Sequence, residues 1–478
     1  MTDRKDLTVT ALVSLLIVIA VLAAVLIGQY LIAASTQFDS GWIDFTDEGG
    51  QNVTVVHNLN SKDLQVDIIG KTSINGNVHQ KYLGLTGVTQ GWAQTYGSPE
   101  SDEVATSVVY TREGGYAFAG YTLAFQHTPL EDFWLVKTDA NGNAEWNRTY
   151  TQELGGRPSS LIQTDDGGYA LAGYVFHSGL GSADFWLIKT DADGNAEWNR
   201  TYGGLGDDRA NSLIQTKDGG YVLAGGVNLG SLSGSNLSLV KTDANGTQLW
   251  SKSYEGVGIA PTVVQATDGG YALADGSLLI KTDVNGTLQW NQTYAWGVES
   301  RFRSLIQTED KGYAIAGYVE SSWDIYPDFW LVKTDSDGST QWNRTYGDGG
   351  SEISDSLIQT VEGGYALAGW RLRLGYDWST SNAWLVKTDA DGNLQWNRTY
   401  GRTGNPVANS LLQLTDGSYI LAGATASFGI GDSDALLIKT IVEYGLTWTA
   451  YDSNSITLYR GATDPYWNFV RVRIKKSG

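Results

Sequence analysis

Between Trp92 and Ile441 the chain writes one module of about fifty residues seven times over, and Ala210 to Tyr254 is a fair copy of it. A Gly-Gly-Tyr-like element sets tyrosines at positions 116, 169, 221, 271, 313, 365 and 419, spaced 42 to 54 residues apart. A Lys-Thr pair keeps the same beat at Lys137, Lys189, Lys241, Lys281, Lys333, Lys387 and Lys439. Two elements in step make a complete supersecondary unit, and such a unit buries its apolar faces only against its neighbours.

Each copy predicts four short strands: Ser-Leu-Ile-Gln-Thr, Gly-Tyr-Ala-Leu-Ala-Gly, Phe-Trp-Leu-Val-Lys-Thr-Asp and Gln-Trp-Asn-Arg-Thr-Tyr. These segments alternate as strands do and are rich in β-branched and aromatic residues. Asp-Gly-Gly separates the first two, as at 166–168, and Asp-x-Asx-Gly the last two, as at 191–194. Both are tight hairpin signals. With 59 glycines, 18 tryptophans and 26 tyrosines in 478 residues, the chain has material for a large β core. Seven four-stranded antiparallel units fit a seven-bladed β-propeller, whose radial closure protects sheet edges. A linear β-solenoid is the alternative.

The repeats resemble the DGGY-type propeller repeats of archaeal and bacterial surface proteins, and more loosely the quinoprotein-like propellers with a tryptophan near the end of each unit. The resemblance spans residues 91–441 and implies the fold; one superfold hosts many activities, so it names no function. Phase predicts how the ring closes. The seventh copy passes from Lys439-Thr440 into Ile441 without a final hairpin, while an orphan fourth strand, Trp92-Ala93-Gln94-Thr95-Tyr96, precedes the first copy. That strand is expected to complete the seventh blade.

The flanks, 40–88 and 444–476, read as two halves of one small β-sandwich, each too short to hold a core alone. Their order of Gly41-Trp42, Thr54-x-x-His57-Asn58-Leu59, Asn454-Ser455-Ile456-Thr457-Leu458 and Val470-Arg471-Val472-Arg473-Ile474 resembles small sandwiches of phage tail fibres and H-type lectins. Upstream, no charged residue occurs from Leu7 to Phe38, and residues 9–34 are long enough for a transmembrane helix. Arg4 and Lys5 before it favour a cytoplasmic N-terminus at 1–8 and an external body. A single-pass anchor in the cell membrane is expected, with cleavage near 33–35 as the alternative. Basic residues ahead of an apolar helix also faintly resemble archaeal pilin leaders. The net charge of −20 leaves no basic stripe for nucleic acid. Zero cysteines remove disulfides and thiolate chemistry.

Strand direction sorts the connections onto two faces. The tight turns share one face, which the flanking domain is expected to underlie; second-to-third loops and inter-blade crossings share the other. Because loops vary most there, that face is the expected binding surface. Trp323, Tyr326, Trp370, Arg371, Arg373, Tyr376 and Trp378, from copies five and six, form a candidate aromatic ledge for a sugar or peptide. The alternative is that these rings pack loops together. His57 and His79 fall in the flanks, and His127 and His177 in neighbouring loops. No nucleophile, base and orienting group assemble, so no catalytic residue, metal site or cofactor is expected. The Asp-x-Asx-Gly turns place glycine fourth rather than sixth, unlike a calcium loop, and Asp207-Asp208 is a weak suggestion of a glycosidase dyad. Glycosylation acceptors stand at Asn52, Asn147, Asn199, Asn236, Asn245, Asn285, Asn291, Asn343 and Asn397. The expected role is a membrane-anchored, non-enzymatic surface protein that binds glycan, protein or envelope components. A surface enzyme, glycan-cleaving or quinoprotein-like, and a structural envelope or filament subunit are the competing classes.

Overall fold

A computed structural model describes residues 91–440, apart from short loop segments, and the backbone of seven strands within 37–86 and 446–476. The predicted anchor at 9–34 lies outside the described residues, among which no helix is long and apolar enough to cross a membrane. The chain divides into two units, 90–442 and the two flanks together.

Seven four-stranded antiparallel sheets make up the larger unit. Blade two is representative, with strands Gly156–Gln163, Tyr169–Phe176, Ala183–Thr190 and Ala196–Tyr202. The first strand of each blade touches the first strands of both neighbouring blades, blade seven against blade one included. The ring is therefore closed, with first strands innermost, as a seven-bladed propeller requires.

Blade seven takes Val407–Gln413, Tyr419–Thr425 and Asp434–Lys439 from its own copy and Trp92–Tyr96 as its fourth strand. The borrowed strand pairs antiparallel, Trp92 opposite Lys439 and Tyr96 opposite Ala435. A fourth strand in this fold has a definite task. Its tryptophan packs against the anchor tyrosine of the next blade, with ring centroids 5.7 to 6.1 Å apart at all seven junctions. Trp92 against Tyr116, at 5.9 Å, is one of these seven. The following tyrosine donates its hydroxyl hydrogen bond to a glycine carbonyl in the next blade's last hairpin, from Tyr96 to Gly142 as from Tyr150 to Gly194. Gly194 holds a φ of 76°, and a Cβ there would strike the Trp146 ring. Glycine is required on both counts.

The core consists of layers between blades. Ala117, Ala119, Phe133 and Leu135 of blade one pack with Leu161, Tyr169, Leu171 and Trp186 of blade two, while Phe118 and Trp134 turn the other way toward Ile420 and Leu437. Central strands buried on both faces have no polar face to alternate. This explains why the second and third strands read as continuous apolar runs, whereas burial alternates along first strands such as Ser101–Tyr110 and outer ones such as Ala144–Tyr150. Blade four has a two-residue turn at Gly276-Ser277 in place of a loop and short strands, Thr262–Gln265 and Tyr271–Asp275 among them. Phe302 of blade five fills the shortfall: it is 1% exposed, stacks on Trp330 at 4.9 Å and donates its N–H to the Gly276 carbonyl. The equivalent positions in other blades hold Ala105, Pro158, Ala210, Ser354 and Ala408.

The smaller unit forms two sheets. Phe469–Lys476 lies between Gln37–Asp44 and Leu64–Lys71, with Leu83–Thr86 beyond, and Ser455–Arg460 lies between Asn52–Val56 and Leu446–Ala450. Both sheets draw strands from both flanks, so the halves share one backbone fold.

Candidate functional site

The residues that repeat most faithfully are consumed by the fold. Six of the repeated lysines are only 4 to 5% exposed. Lys189 bonds the Thr190 carbonyl at 2.8 Å and pairs with Asp166 of the Asp-Gly-Gly turn and with Glu197, both at 2.8 Å. Lys241, Lys281 and Lys333 take Asp218, Asp268 and Asp310 in the same manner. The glutamine ending the first strand caps the preceding blade, Gln215 accepting from Asp165 N at 2.9 Å. In the Asp-x-Asx-Gly hairpins, Asp191 Oδ1 accepts from the N–H groups of Asp193 and Asn195. An aspartate satisfied by its own turn is a hairpin device.

Burial pushes the Asp166 carboxyl up, but hydrogen bonds from Lys189, Thr164 and the Gly168 N–H outweigh it and hold the group at about 2. The same balance holds Asp218, Asp268 and Asp310 below the usual carboxylate range. A lowered folded-state value adds stability above the unfolded value of about 4 and loses it as pH falls through the folded one. Stability should therefore fall between about pH 4 and pH 2. In denaturant titrations across that window, Asp166→Asn should flatten the slope; an unchanged slope would dissociate this staple from acid unfolding.

The opposite face is where blades differ chemically. Its most constructed feature is a pair of acids, one at the start of a third strand and one on the crossing into the next blade. Asp434 and Glu103 meet at the junction of blades seven and one, Asp184 and Asp208 at blades two and three, Asp328 and Glu352 at blades five and six. Each pair crowds the glycine after a Thr-Tyr: a Cβ on Gly97 would sit 2.5 Å from Glu103 Oε2 and closer to Asp434 Oδ1. At Gly203 it would be 3.0 Å from Asp208 Oδ2, and at Gly347 it would be 3.1 Å from Glu352 Oε2. Backbone hydrogen bonds fix the approach. Glu103 N donates to Ser433 O at 2.9 Å and Ser433 N to Asp102 Oδ1 at 2.8 Å; Asp208 N donates to Ala183 O at 2.6 Å and Ala183 N to Asp207 Oδ1 at 3.2 Å.

The pairs are buried, with Asp434 1%, Glu103 3%, Asp208 5% and Glu352 0% exposed. Burial pushes the Glu103 carboxyl up; bonds from Ser101, Ser98 N–H and Thr122 pull it down, and the Asp434 charge raises it. Asp184 is likewise raised by burial, lowered by His177 and raised by Asp208. Two pairs carry a basic group of the chain: His177 Nε2 lies 3.1 Å from Asp184 Oδ2, and Arg371 Nε 3.9 Å from Glu352 Oε1. Asp207 and Asp208, neighbours in sequence, are committed apart. Asp207 pairs with Arg209 at 3.0 Å, while Asp208 accepts from Gly204 N and faces Asp184.

Beside these acids runs a ladder of rings and guanidinium groups. Arg157 lies 4.5 Å over Tyr121 and pairs with Glu131; Arg209 lies 4.6 Å over Tyr174 and 5.7 Å from Phe176. All five ladder residues of blades one to three are half-buried. On the innermost strands, β-bulges free Thr106, Ser159, Asn211, Arg303, Asp355 and Asn409 from the ladder. Arg303 and Asp355 pair across blades at 2.7 Å.

Of the predicted ledge, Trp323, Arg373, Tyr376 and Trp378 lie outside the described residues, as does His127. Tyr326 is half-buried just before the third strand of blade five. Trp370 and Arg371 are consecutive on Tyr365–Leu372 and so project to opposite faces of that strand. Trp370 is half-buried; Arg371 is 4% exposed, lies 5.2 Å from the Trp384 ring and lines a groove of about 350 Å³ with Arg344, Tyr346, Gly347 and Asn397. Among the acceptor asparagines, Asn147, Asn199, Asn245, Asn285, Asn291 and Asn397 are exposed and Asn236 and Asn343 half-buried, while Asn52 opens the strand Asn52–Val56. Asn147, Asn199 and Asn397 accept the indole N–H of Trp134, Trp186 and Trp384 at 3.3 to 3.5 Å. The acid pairs escaped the sequence reading because Glu103 and Asp434 are 331 positions apart. The available signal was internal: glycine follows Thr-Tyr where a third-strand Asp precedes an acidic crossing.

No family model and no curated protein matches this chain. Among solved structures, streptogramin B lyase is similar over 73% of this chain and 98% of its own, at 11% identity and a TM-score of 0.47. The Pan2 WD40 domain of Neurospora crassa covers 71% of this chain and 90% of its own, at 9% identity and 0.46. The α-L-arabinanase of Penicillium chrysogenum covers 73% and 97%, at 13% identity and 0.40. These proteins have different functions, and what the chain shares with them is the β-propeller architecture.

Proposed function

We propose that this chain is a membrane-tethered cell-surface protein whose propeller binds an external glycan or surface protein through its loop face. The observation that carries this reading is the contrast between the faces. Lysines, aspartates and tyrosines of the tight-turn face are spent on the repeat itself, whereas the loop face has half-buried rings and guanidinium groups that differ from blade to blade. Aromatic and arginine side chains are the residue types that anchor interfaces and stack on sugar rings. A net charge of −20 disfavours polyanionic ligands. The apolar segment at 9–34 supplies the tether, and the flanks fold into two sheets that share strands from both ends of the array. Exposed acceptor asparagines on the outer strands are compatible with a glycosylated external body.

Residues 36–478 probed against a glycan array and a panel of envelope proteins should yield a ligand. Trp370→Ala, and separately Tyr174→Ala with Arg209→Ala, locate the site; at least one should weaken binding by about tenfold or more. No ligand in either panel, or a ligand whose binding neither variant alters, removes the proposal.

A further inference from the structure

We propose that Asp434 and Glu103 hold a hard divalent cation, of the calcium class, at the seam where blade seven meets blade one. The first support is an unmet need. Asp434 is 1% exposed, and both its carboxylate oxygens are without a hydrogen-bond partner among the described residues. Its Oδ1 and Glu103 Oε2 converge over Gly97. Glu103 has partial compensation, from Thr122 Oγ1 at 3.2 Å, Ser98 N at 3.3 Å and the Ser101 hydroxyl. None of these bonds carries positive charge. Two carboxylates out of water and side by side need a counter-charge or a shared proton.

The second support is a comparison that the repeat itself provides. Two sister pairs crowd the same glycine, the blade-two pair with the same backbone approach, and each has a basic side chain of its own: His177 beside Asp184 and Arg371 beside Glu352. At the seam, no lysine, arginine or histidine among the described residues pairs with Asp434 or Glu103. The position that the chain fills twice with a basic side chain has none among the described residues at the seam, and we assign it to a cation from solution.

Donor chemistry selects the class. The oxygens at hand are two carboxylates and the hydroxyls of Ser98 and Ser101, 2.7 Å apart, with no nitrogen or sulfur ligand. Hard oxygen donors in irregular number suit calcium, which accepts six to eight at variable geometry, better than magnesium or zinc. No three acidic or imidazole groups converge among the described residues, so hydroxyl, peptide and water oxygens complete the shell. Gly97 is exposed, which gives a short route in. The ion would tie the end of the clasp strand to blade seven and blade one together. Ring closure would then depend on external calcium.

Chelator-treated full chain titrated with Ca²⁺ alone by calorimetry should show one equivalent, with a Kd on the order of 10⁻⁴ M, as in extracellular modules. Asp434→Asn and Glu103→Gln should each weaken it at least tenfold, while Asp184→Asn leaves it unchanged. Thermal melts supply the sign. Without calcium, Asp434→Asn should melt no lower than the parent, because it removes a buried charge; with 10 mM Ca²⁺ the parent should gain and Asp434→Asn should not. Terbium emission sensitised through Trp92 and Tyr96, and displaced by Ca²⁺, reads the parent alone should a variant fail to fold. No saturable calcium uptake by the parent, or equal uptake by Asp434→Asn, overturns the proposal, and so does loss of uptake in Asp184→Asn. Glycan binding is measured separately, so either proposal can fail alone.

Discussion

Replacing Trp92 by alanine will destabilise the propeller as much as Trp290→Ala, by about 3 kcal/mol in each case, the lower end for a large aromatic truncated to alanine because both rings are half-buried. The equality is the point. Trp290 lies within a continuous copy and packs on Tyr313 at 6.1 Å; Trp92 arrives from the far end of the module array and packs on Tyr116 at 5.9 Å. If the borrowed strand is a full member of blade seven, chain connectivity is irrelevant to the loss. Denaturant titration of both variants decides it, and a Trp92 effect under about 1 kcal/mol beside a full Trp290 effect would mean that the seam is open. Deleting 91–97 goes further, because it strips Asp434–Lys439 of its partner and leaves a central apolar strand as an edge. Exposed edges pair with other chains, so that deletion should elute as oligomers.

The architecture was legible because the repeat states it seven times. Tyrosine spacing located the blades, the missing hairpin after Thr440 located the seam, and the glycine turns located the hairpins. Phe302 was legible in principle, since a large residue at a site held elsewhere by alanine, serine or proline answers a short neighbouring blade. Chemistry that depends on closure was not. Glu103 and Asp434 approach only once the ring is formed, and His177 meets Asp184 only once the second and third strands of blade two pair. The candidate ledge shows a second limit. Trp370 and Arg371 are adjacent in sequence, yet strand alternation separates them, and Arg371 answers to Glu352 beneath the surface. Proximity in sequence puts both residues on one strand, but the sheet decides which side chains share a face.

The lysine staples supply the other large effect, and its size differs between the two partners. Lys333 Nζ is shared by Asp310 and the Thr334 carbonyl, both at 2.7 Å, and by Gln341 at 3.0 Å. The lysine is 5% exposed, whereas the Asp310 side chain is 51% exposed. Asp310→Ala leaves a buried ammonium without its counter-charge and also removes the acceptor for the Thr308 hydroxyl and the Gly312 N–H. A loss of about 2 kcal/mol is expected, below the full cost of breaking a buried pair because water reaches the aspartate side. Lys333→Met keeps the stem, removes the charge and frees a carboxylate that water can solvate; its cost should stay within about 1 kcal/mol. The double variant should then be more stable than Asp310→Ala alone, because its second substitution removes the stranded charge. Should Lys333→Met cost as much as Asp310→Ala in the same titration, the staple would hold the blade by attraction and not by satisfying a buried ammonium. The repeated lysines would then contribute net stability at every turn where they recur.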